Sequence, residues 1–343
     1  MKERRLHMVK DILEGDGGCE GVFSMTFLLG IIIFFSGCME HEIPVPPHPP
    51  GEVEMSIVNL GSDYGTQMYY SLSSKEVVAS NNNNDWDIAF SCSEASRIVR
   101  LNSSKFMSVA NTTFVEFSED LSEEYISSLD FAYEYDSGLD DEYSIGDVGY
   151  GSNLLIMNLG YDLEDNELGH YRLMVDSVDN NGYYIRYSDL QLTFDSVVYV
   201  SRNDEREWIH FSMLNHEVIE LEPMIGEWDV LFTRYTVLID EETNYQVVGV
   251  LSPPTGTMVS ENSKFSFDEV KIADWDTLSF TGLWNEIGYD WKVYDMDEGE
   301  YTVDTERSYA VKCPDGREFV IRFLDFYDEM GNLGTITFES AER

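Results

Sequence analysis

The sequence predicts an all-β protein built from two tandem, mostly antiparallel β domains. Aromatic residues are abundant, with 21 Tyr and 19 Phe among 343 residues, and aromatic side chains favour strands. Long runs of Ala, Leu, Glu and Lys, which would favour helices, are absent. A third observation is the segment DWDIAF at residues 85–90, which returns as EWDVLF at residues 227–232. Two copies of one strand-rich unit account for these features together.

The N-terminal part carries an apolar segment, VFSMTFLLGIIIFF, at residues 22–35. It is too short to span a bilayer comfortably but has the length of a signal-peptide core. The sequence FSGC that ends at Cys38 resembles a bacterial lipobox, which implies cleavage before Cys38 and lipidation of its thiol. We therefore predict a signal peptide at 1–37 and a membrane anchor on Cys38. Acidic residues between the basic residues of the leader leave Met8 open as the true start.

A proline-rich segment at residues 38–51 follows the lipobox. Repeated proline favours extended polyproline II structure and does not form a packed core. This segment is predicted to be a tether.

The remaining chain is predicted to contain module 1 at 52–196 and module 2 at 197–343. Each module begins with a strand hairpin, at 67–78 and at 208–219, followed by its Trp-Asp strand. Further matches recur in the same order, which favours a duplication over chance similarity. They are LGYD at 159–162 with IGYD at 287–290, YRL at 171–173 with YTV at 301–303, and YYIRYSDL at 183–190 with FVIRFLDF at 319–326.

Side-chain roles follow from the alternation of strand residues. Trp86 and Trp228 are predicted to be core anchors. Asp87 and Asp229 are predicted to face the other side and to pair with arginines of their own modules. Those arginines are Arg186 and Arg322. His210 lies between Ile209 and Phe211 and is predicted to face out of its sheet.

Charge and motifs exclude several functions. The formal net charge is −44, which repels nucleic acid. No calcium-binding loop of the EF-hand type, Gly-x-Ser-x-Gly motif, His-Glu-x-x-His motif or glycine-rich phosphate loop is present in the sequence. The sequence therefore predicts no enzymatic activity. Cys92 and Cys313 are the cysteines that remain outside the leader and lipobox, and whether they form a disulfide is open.

The same residues resemble the HmuY family of Bacteroidota lipoproteins. The front of the family pattern matches Tyr70-Ser71, Glu76-Val77-Val78 and Trp86-Asp87. The back of the pattern matches Tyr309-Ala310-Val311, Asp315-Gly316, the IRF segment at 321–323 and the GTITF segment at 334–338.

The resemblance implies an outer-membrane or secreted protein that captures haem and passes it to an outer-membrane transporter, with surface exposure on a lipid anchor as one arrangement. Family members hold the iron with His or Met, both of which are able ligands. On this chain the corresponding candidates are Met258 and Met296 in module 2 and His170 in module 1. The alternative is a structural, partner-binding or glycan-binding surface lipoprotein that kept the scaffold without binding haem.

Overall fold

A computed structural model describes residues 51–139, 142–239, 242–262 and 265–343. The predicted signal peptide, the tether up to residue 50 and Cys38 lie outside the described residues. Within the described part there are 22 strands and two short helices, α1 (Glu123–Ser127) and α2 (Phe267–Ile272). None of the described helices is long and apolar enough to cross a membrane.

The strands follow one another with short connections. In chain order they are β1 Glu54–Asn59, β2 Thr66–Ser71, β3 Glu76–Asn82, β4 Ile88–Ser91, β5 Ile98–Leu101, β6 Ser108–Asn111, β7 Ala132–Tyr133, β8 Gly146–Asp147, β9 Leu155–Asn158, β10 His170–Asp179, β11 Gly182–Asp189, β12 Ser196–Ser201, β13 Trp208–Ser212, β14 Glu217–Ile219, β15 Val230–Ile239, β16 Thr243–Leu251, β17 Met258–Asn262, β18 Lys292–Asp295, β19 Glu300–Val303, β20 Ser308–Lys312, β21 Glu318–Tyr327 and β22 Leu333–Glu342.

The strands form four main sheets, and every pairing between the described strands is antiparallel. The orders are β1-β22-β21-β20-β17, β16-β15-β2-β3, β14-β13-β4-β5-β8 and β12-β11-β10-β9-β6-β7, with β18 and β19 forming a separate hairpin. The predicted all-β, antiparallel fold is confirmed.

The sheets group into two lobes, each around its own apolar core. Lobe 1 contains β4–β14, and its core includes Phe90, Tyr183 and Phe211. Lobe 2 contains β1–β3 and β15–β22, and its core includes Trp291 and Phe323. The domain boundary at residue 196 stays a prediction about the repeated sequence, since the sheets group the strands differently.

Each Trp-Asp segment pairs with the hairpin that the other predicted module supplies. Strand β4 pairs with β13, and β15 pairs with β2. The Asp87 N–H donates to the Phe211 carbonyl at 3.0 Å, and the Asp229 N–H donates to the Tyr70 carbonyl at 2.9 Å. Relative to the predicted modules, the two hairpins are therefore exchanged. The β13–β14 hairpin of module 2 pairs with β4 of module 1, and the β2–β3 hairpin of module 1 pairs with β15 of module 2.

The side chains of the two segments make matching contacts as well. The carboxylate of Asp87 accepts a hydrogen bond from the Met213 N–H at 2.6 Å, and that of Asp229 accepts one from the Leu72 N–H at 2.7 Å. The Trp86 ring makes an edge contact with His210 at 4.6 Å. The ring of Trp228, at the equivalent place, makes an edge contact with Tyr69 at 5.0 Å. Each Trp-Asp pair thus fastens one strand to the turn of a hairpin.

The predicted pairing of these aspartates with arginines is wrong. The Asp87 carboxylate forms an ion pair with Lys105, in which both side chains are fully buried, and Asp229 is satisfied by the hairpin turn. Arg186 and Arg322 instead form ion pairs with partly exposed acidic residues on a neighbouring loop and strand. Those acids are Asp195, at 2.5 Å, and Glu339, at 2.7 Å.

His210 is predicted to face out of its sheet, and its ring does lie on the face away from the lobe 1 core, but that face is not exposed to solvent. His210 is 1% exposed because Trp86 covers the face of β13 that points away from the lobe 1 core. Burial, together with Arg100 and Arg206, holds the pKa of the His210 imidazole well below its ordinary value.

The two cysteines do not form a disulfide. Cys92 lies in the core of lobe 1 and Cys313 in that of lobe 2, and both are free. Burial raises the pKa of the Cys92 thiol to about 11 and raises that of Cys313 as well. Both are therefore inert apolar groups at neutral pH.

Candidate functional site

A cleft of about 560 Å³ opens between the two lobes. Its aromatic lining consists of Phe131, Tyr133, Tyr135 and Tyr143 from lobe 1 and Tyr289 from lobe 2. We call it the tyrosine cleft. Polar groups complete the lining: Glu142, Ser144, Thr236, Asn244 and Asn285. The volume falls within the range of about 300–1,000 Å³ typical of small-molecule sites.

The lobe 1 wall is an extended segment in which tyrosines alternate with acids. Tyr133 and Tyr135 line the cleft, whereas Glu134 and Asp136 are 0% and 4% exposed. Successive side chains of an extended chain point to opposite sides, so the YEYD sequence places two aromatic rings outward and two carboxyl groups inward.

The inward carboxyl groups fasten this wall to the lobe. Glu134 accepts hydrogen bonds from the Leu101 N–H at 3.1 Å and the Ser144 hydroxyl at 2.5 Å. Asp136 binds Arg100 at 2.7 Å. Burial raises the pKa of Glu134 to about 7, so the Glu134 contacts that hold the cleft wall are sensitive to pH near neutrality.

The lobe 2 wall is held against lobe 1 by direct hydrogen bonds. The Tyr135 hydroxyl donates to the Asn244 side-chain oxygen at 2.5 Å. The Thr236 hydroxyl donates to the Ser103 carbonyl at 2.7 Å. These contacts join the opposite sides of the tyrosine cleft and hold its two walls together.

The loop that carries Tyr289 is fixed by a close backbone approach. Gly288 and Val250 exchange two hydrogen bonds, at 2.9 and 3.1 Å. A Cβ atom on neighbouring Gly249 would lie 2.4 Å from the Gly288 carbonyl oxygen. Only glycine fits there, and this approach sets the position of the Tyr289 ring.

A buried cluster of tryptophans surrounds Arg100 beside the cleft. The Arg100 guanidinium lies 5.3 Å from the Trp86 ring, 4.9 Å from Trp208 and 5.3 Å from Trp284. Tyr143 contacts the Trp284 ring at 5.9 Å and also lines the cleft. A cation held among aromatic faces and paired with a carboxylate is a rigid support.

This cluster encloses a cavity of about 30 Å³, large enough for about two water molecules. Glu222 lines the cavity and is 2% exposed. Glu222 Oε1, Trp208 Nε1 and Arg100 Nε have no hydrogen-bond partner among the described protein atoms. Burial raises the pKa of Glu222 to about 8, although Arg100 and Arg206 oppose the shift. At neutral pH the Glu222 carboxyl is therefore mainly protonated.

The three predicted haem ligands lie on different sheets. His170 begins β10, and its ring packs edge-on against Phe131, which lines the cleft, at 5.6 Å. Burial lowers the pKa of His170, which favours the neutral imidazole that binds metals. Met258 begins β17 and is half-buried, whereas Met296 is 90% exposed at the β18–β19 turn. Their role as ligands stays a prediction.

Sequence reasoning did not find the tyrosine cleft. The YEYD alternation at 133–136 was the available signal, but the opposite wall comes from residues about a hundred positions later. In the described part of the chain, no group of three or more His, Cys, Asp and Glu side chains is placed to hold a metal ion.

The fold and the cleft define an antiparallel β protein with a preformed aromatic cleft between two lobes. A sequence model of the HmuY family, described as HmuY protein, matches residues 63–339. The chain belongs to the HmuY family, as its sequence motifs predict. No curated protein matches the chain.

Two solved structures are among those similar to this chain. Apo PinO from Porphyromonas gingivitis is 10% identical, with a TM-score of 0.32 over 85% of this chain and 98% of PinO. The apo HmuY analog TFO from Tannerella forsythia is 13% identical, with a TM-score of 0.25 over 46% of this chain and 88% of TFO. The family assignment rests on the match at residues 63–339.

Proposed function

We propose that this chain is a binding protein that takes up haem or a related porphyrin in the tyrosine cleft. The observation that carries the proposal is a preformed cleft of about 560 Å³ lined by five aromatic rings, in a chain of the HmuY family. Aromatic rings pack well against a flat macrocycle and contribute large apolar contact areas.

The cleft residues fit a porphyrin in kind. Tyrosine oxygen is one of the side-chain atoms that hold haem iron in proteins, and Tyr135 and Tyr143 would offer such an oxygen here, Tyr135 only on giving up its hydrogen bond to Asn244. Hydroxyl and amide groups of Ser144, Thr236 and Asn285 line the same cleft and can bind the haem carboxylates. Haem would add an iron centre able to bind axial ligands, and the chain's own residues would orient the ring and shield it from water.

A haem titration tests the proposal. We expect the purified chain to shift the Soret band of haem, and the Tyr135→Ala and Tyr143→Ala variants to bind haem at least tenfold more weakly. Tyr150→Ala is the matched control, because Tyr150 is 77% exposed and does not line the cleft. No Soret shift in either redox state, or equal affinity in the cleft variants, would refute the proposal.

A second set of variants identifies the side chain that binds the haem iron. Tyr135→Phe and Tyr143→Phe keep the ring but remove the oxygen, and His170→Ala, Met258→Ala and Met296→Ala remove the predicted ligands. Metal-free protoporphyrin IX serves as a reference for ring binding alone. The variant that changes the haem spectrum without weakening the binding of metal-free porphyrin identifies the ligand.

We also propose that lipidated Cys38 anchors the chain at the outer membrane, where it passes its ligand to a transporter. The lipobox-like FSGC sequence and the family support this assignment. Cys38→Ser is expected to abolish incorporation of labelled palmitate and to release the chain from the membrane fraction. Labelled lipid that remains on the variant would refute the anchor.

A second candidate is a surface lipoprotein that kept the scaffold and binds another partner in place of haem. The placement of His170, Met258 and Met296 on three different sheets favours it. Its signature would be a folded chain that leaves the haem spectrum unchanged and retains a stable partner in a pull-down from outer membranes.

A further inference from the structure

A second groove lies beside the tyrosine cleft, and Asn244 of β16 lines both. Its larger part has a volume of about 470 Å³ and is lined by Phe106, Tyr161, Asp165, Arg234 and Tyr245, among others. A smaller part of about 120 Å³ shares Arg234, Tyr245 and Gln246 with it. We call the two together the Arg234 groove.

The backbone of this groove holds strained residues. Tyr64 and Phe106 have φ angles of 55° and 60°; Tyr64 lines the smaller part of the groove and Phe106 the larger part. A left-handed conformation is a true outlier for a bulky residue and is tolerated where the surroundings impose it. Strain of this kind clusters at binding sites, where it fixes side-chain position before a ligand arrives.

The polar groups of the groove are held by the other lobe. Arg234 Nε donates to the Ser104 carbonyl at 3.0 Å, and Gln246 Nε2 donates to the same carbonyl at 2.8 Å. The Tyr161 N–H donates to the Lys105 carbonyl at 3.0 Å. These hydrogen bonds hold the walls of the groove in place, and two of its aromatic rings remain exposed. Tyr245 is 55% exposed and Tyr161 is 38% exposed.

The charges of the groove select against ionic ligands. The groove is lined by two acidic side chains, Asp162 and Asp165, and by two basic ones, Arg234 and Lys292, and the chain as a whole carries a net charge of −44. An anion is repelled by this field, and a cation meets the guanidinium of Arg234. Guanidinium, amide and carboxylate groups around exposed rings instead match a neutral molecule with many hydroxyl groups.

We propose that the Arg234 groove binds a neutral pyranose sugar as part of a short oligosaccharide. The apolar C–H face of the sugar packs on Tyr245 and Tyr161, and its hydroxyl groups exchange hydrogen bonds with Arg234, Gln246 and Asp165. The proposal does not depend on the porphyrin proposal, because Tyr245 and Tyr161 do not line the tyrosine cleft, although Tyr289 and Asn244 line both sites.

Calorimetric titration of the full chain tests the groove. The probes are neutral gluco-, galacto- and manno-trisaccharides, with a uronic acid trisaccharide and a glucosamine trisaccharide as charged comparisons. We expect at least one neutral probe to bind and the charged probe of the same backbone to bind at least tenfold more weakly. Binding by none of the neutral probes, or tighter binding of a charged one, overturns the proposal.

The variants locate the binding site. Tyr245→Ala and Tyr161→Ala are expected to weaken sugar binding at least tenfold each, whereas exposed Tyr150→Ala leaves it unchanged. Far-ultraviolet circular dichroism confirms that each variant is folded. Two groove variants are used so that the site can still be tested if one of them misfolds. Wild-type affinity in a folded groove variant overturns the assignment of the site.

Discussion

The Glu222→Gln substitution separates a buried, protonated carboxyl group from the many exposed acids of this chain. Glu222 is 2% exposed beside the tryptophan cluster, and burial raises its pKa from 4.5 to about 8. The unfolded chain releases this proton above pH 4.5, whereas the folded chain keeps it up to about pH 8. The folded state therefore binds more protons in this window, and stability falls as pH rises through it.

The size of the change in stability follows from a difference of one bound proton between the folded and the unfolded chain. Each pH unit inside the window changes the free energy of unfolding by about 1.4 kcal/mol, so Glu222 alone lowers stability by about 3 kcal/mol between pH 5.5 and pH 7.5. Glutamine keeps the shape of the neutral acid but does not titrate. We expect the variant to lack this part of the pH dependence.

Urea unfolding at pH 5.5 and pH 7.5 measures the effect. Glu134 adds a slope of the same sign, since its pKa is raised to about 7, and it is present in both proteins, so the difference between variant and wild type isolates Glu222. Glu94→Gln, at an exposed position, is the matched control for the lost charge. An unchanged pH dependence in Glu222→Gln would refute a protonated carboxyl group in this cluster.

Three further outcomes are expected. Lys105→Met leaves the Asp87 carboxylate buried without its cation and should lower the free energy of unfolding by about 3–5 kcal/mol; a loss below 1 kcal/mol in urea unfolding would contradict it. Gly249→Ala should cost about 1–3 kcal/mol by overpacking and should weaken cleft binding, since its Cβ meets a carbonyl; calorimetry and ligand titration check both. Cys92 and Cys313 should resist a thiol reagent until urea unfolds the chain, and rapid labelling of the native protein would show that they are not buried.

The local elements of this fold were predictable from the sequence. The hairpin predicted at 67–78 is observed as β2 and β3, and that at 208–219 as β13 and β14. Period-two alternation and turn residues determine such elements within about ten residues. Strand β1 pairs with the last strand of the chain. The local sequence of β1 contains no pattern that predicts so distant a partner.

The alternation rule failed at the Trp-Asp segments for a physical reason. Ile88 and Phe90 enter the lobe 1 core, but Trp86 packs with Ala89 and Trp208 in a separate cluster. Every residue of β13 is buried, including His210. The alternation rule assumes that one face of a strand is exposed to water. It cannot hold for a strand whose two faces are covered by different lobes.

The two crossings of the chain between the lobes coincide with the repeated Trp-Asp segments. The chain passes from lobe 2 to lobe 1 between β3 and β4 and returns between β14 and β15, and a Trp-Asp pair stands at each passage. There Asp87 and Asp229 clasp the turn of a hairpin that arrives from elsewhere in the chain.

Opening the lobes would strain both passages and would break the hydrogen bonds from Tyr135 and Thr236. The tyrosine cleft and the Arg234 groove both border β16, the strand that lobe 2 presents to lobe 1. Because both sites use walls from two lobes held at two passages, ligand binding is expected to require little rearrangement. The repeated Trp-Asp segment, first visible as a sequence pattern, thus fastens a hairpin within each lobe at the two points where the chain crosses between the lobes.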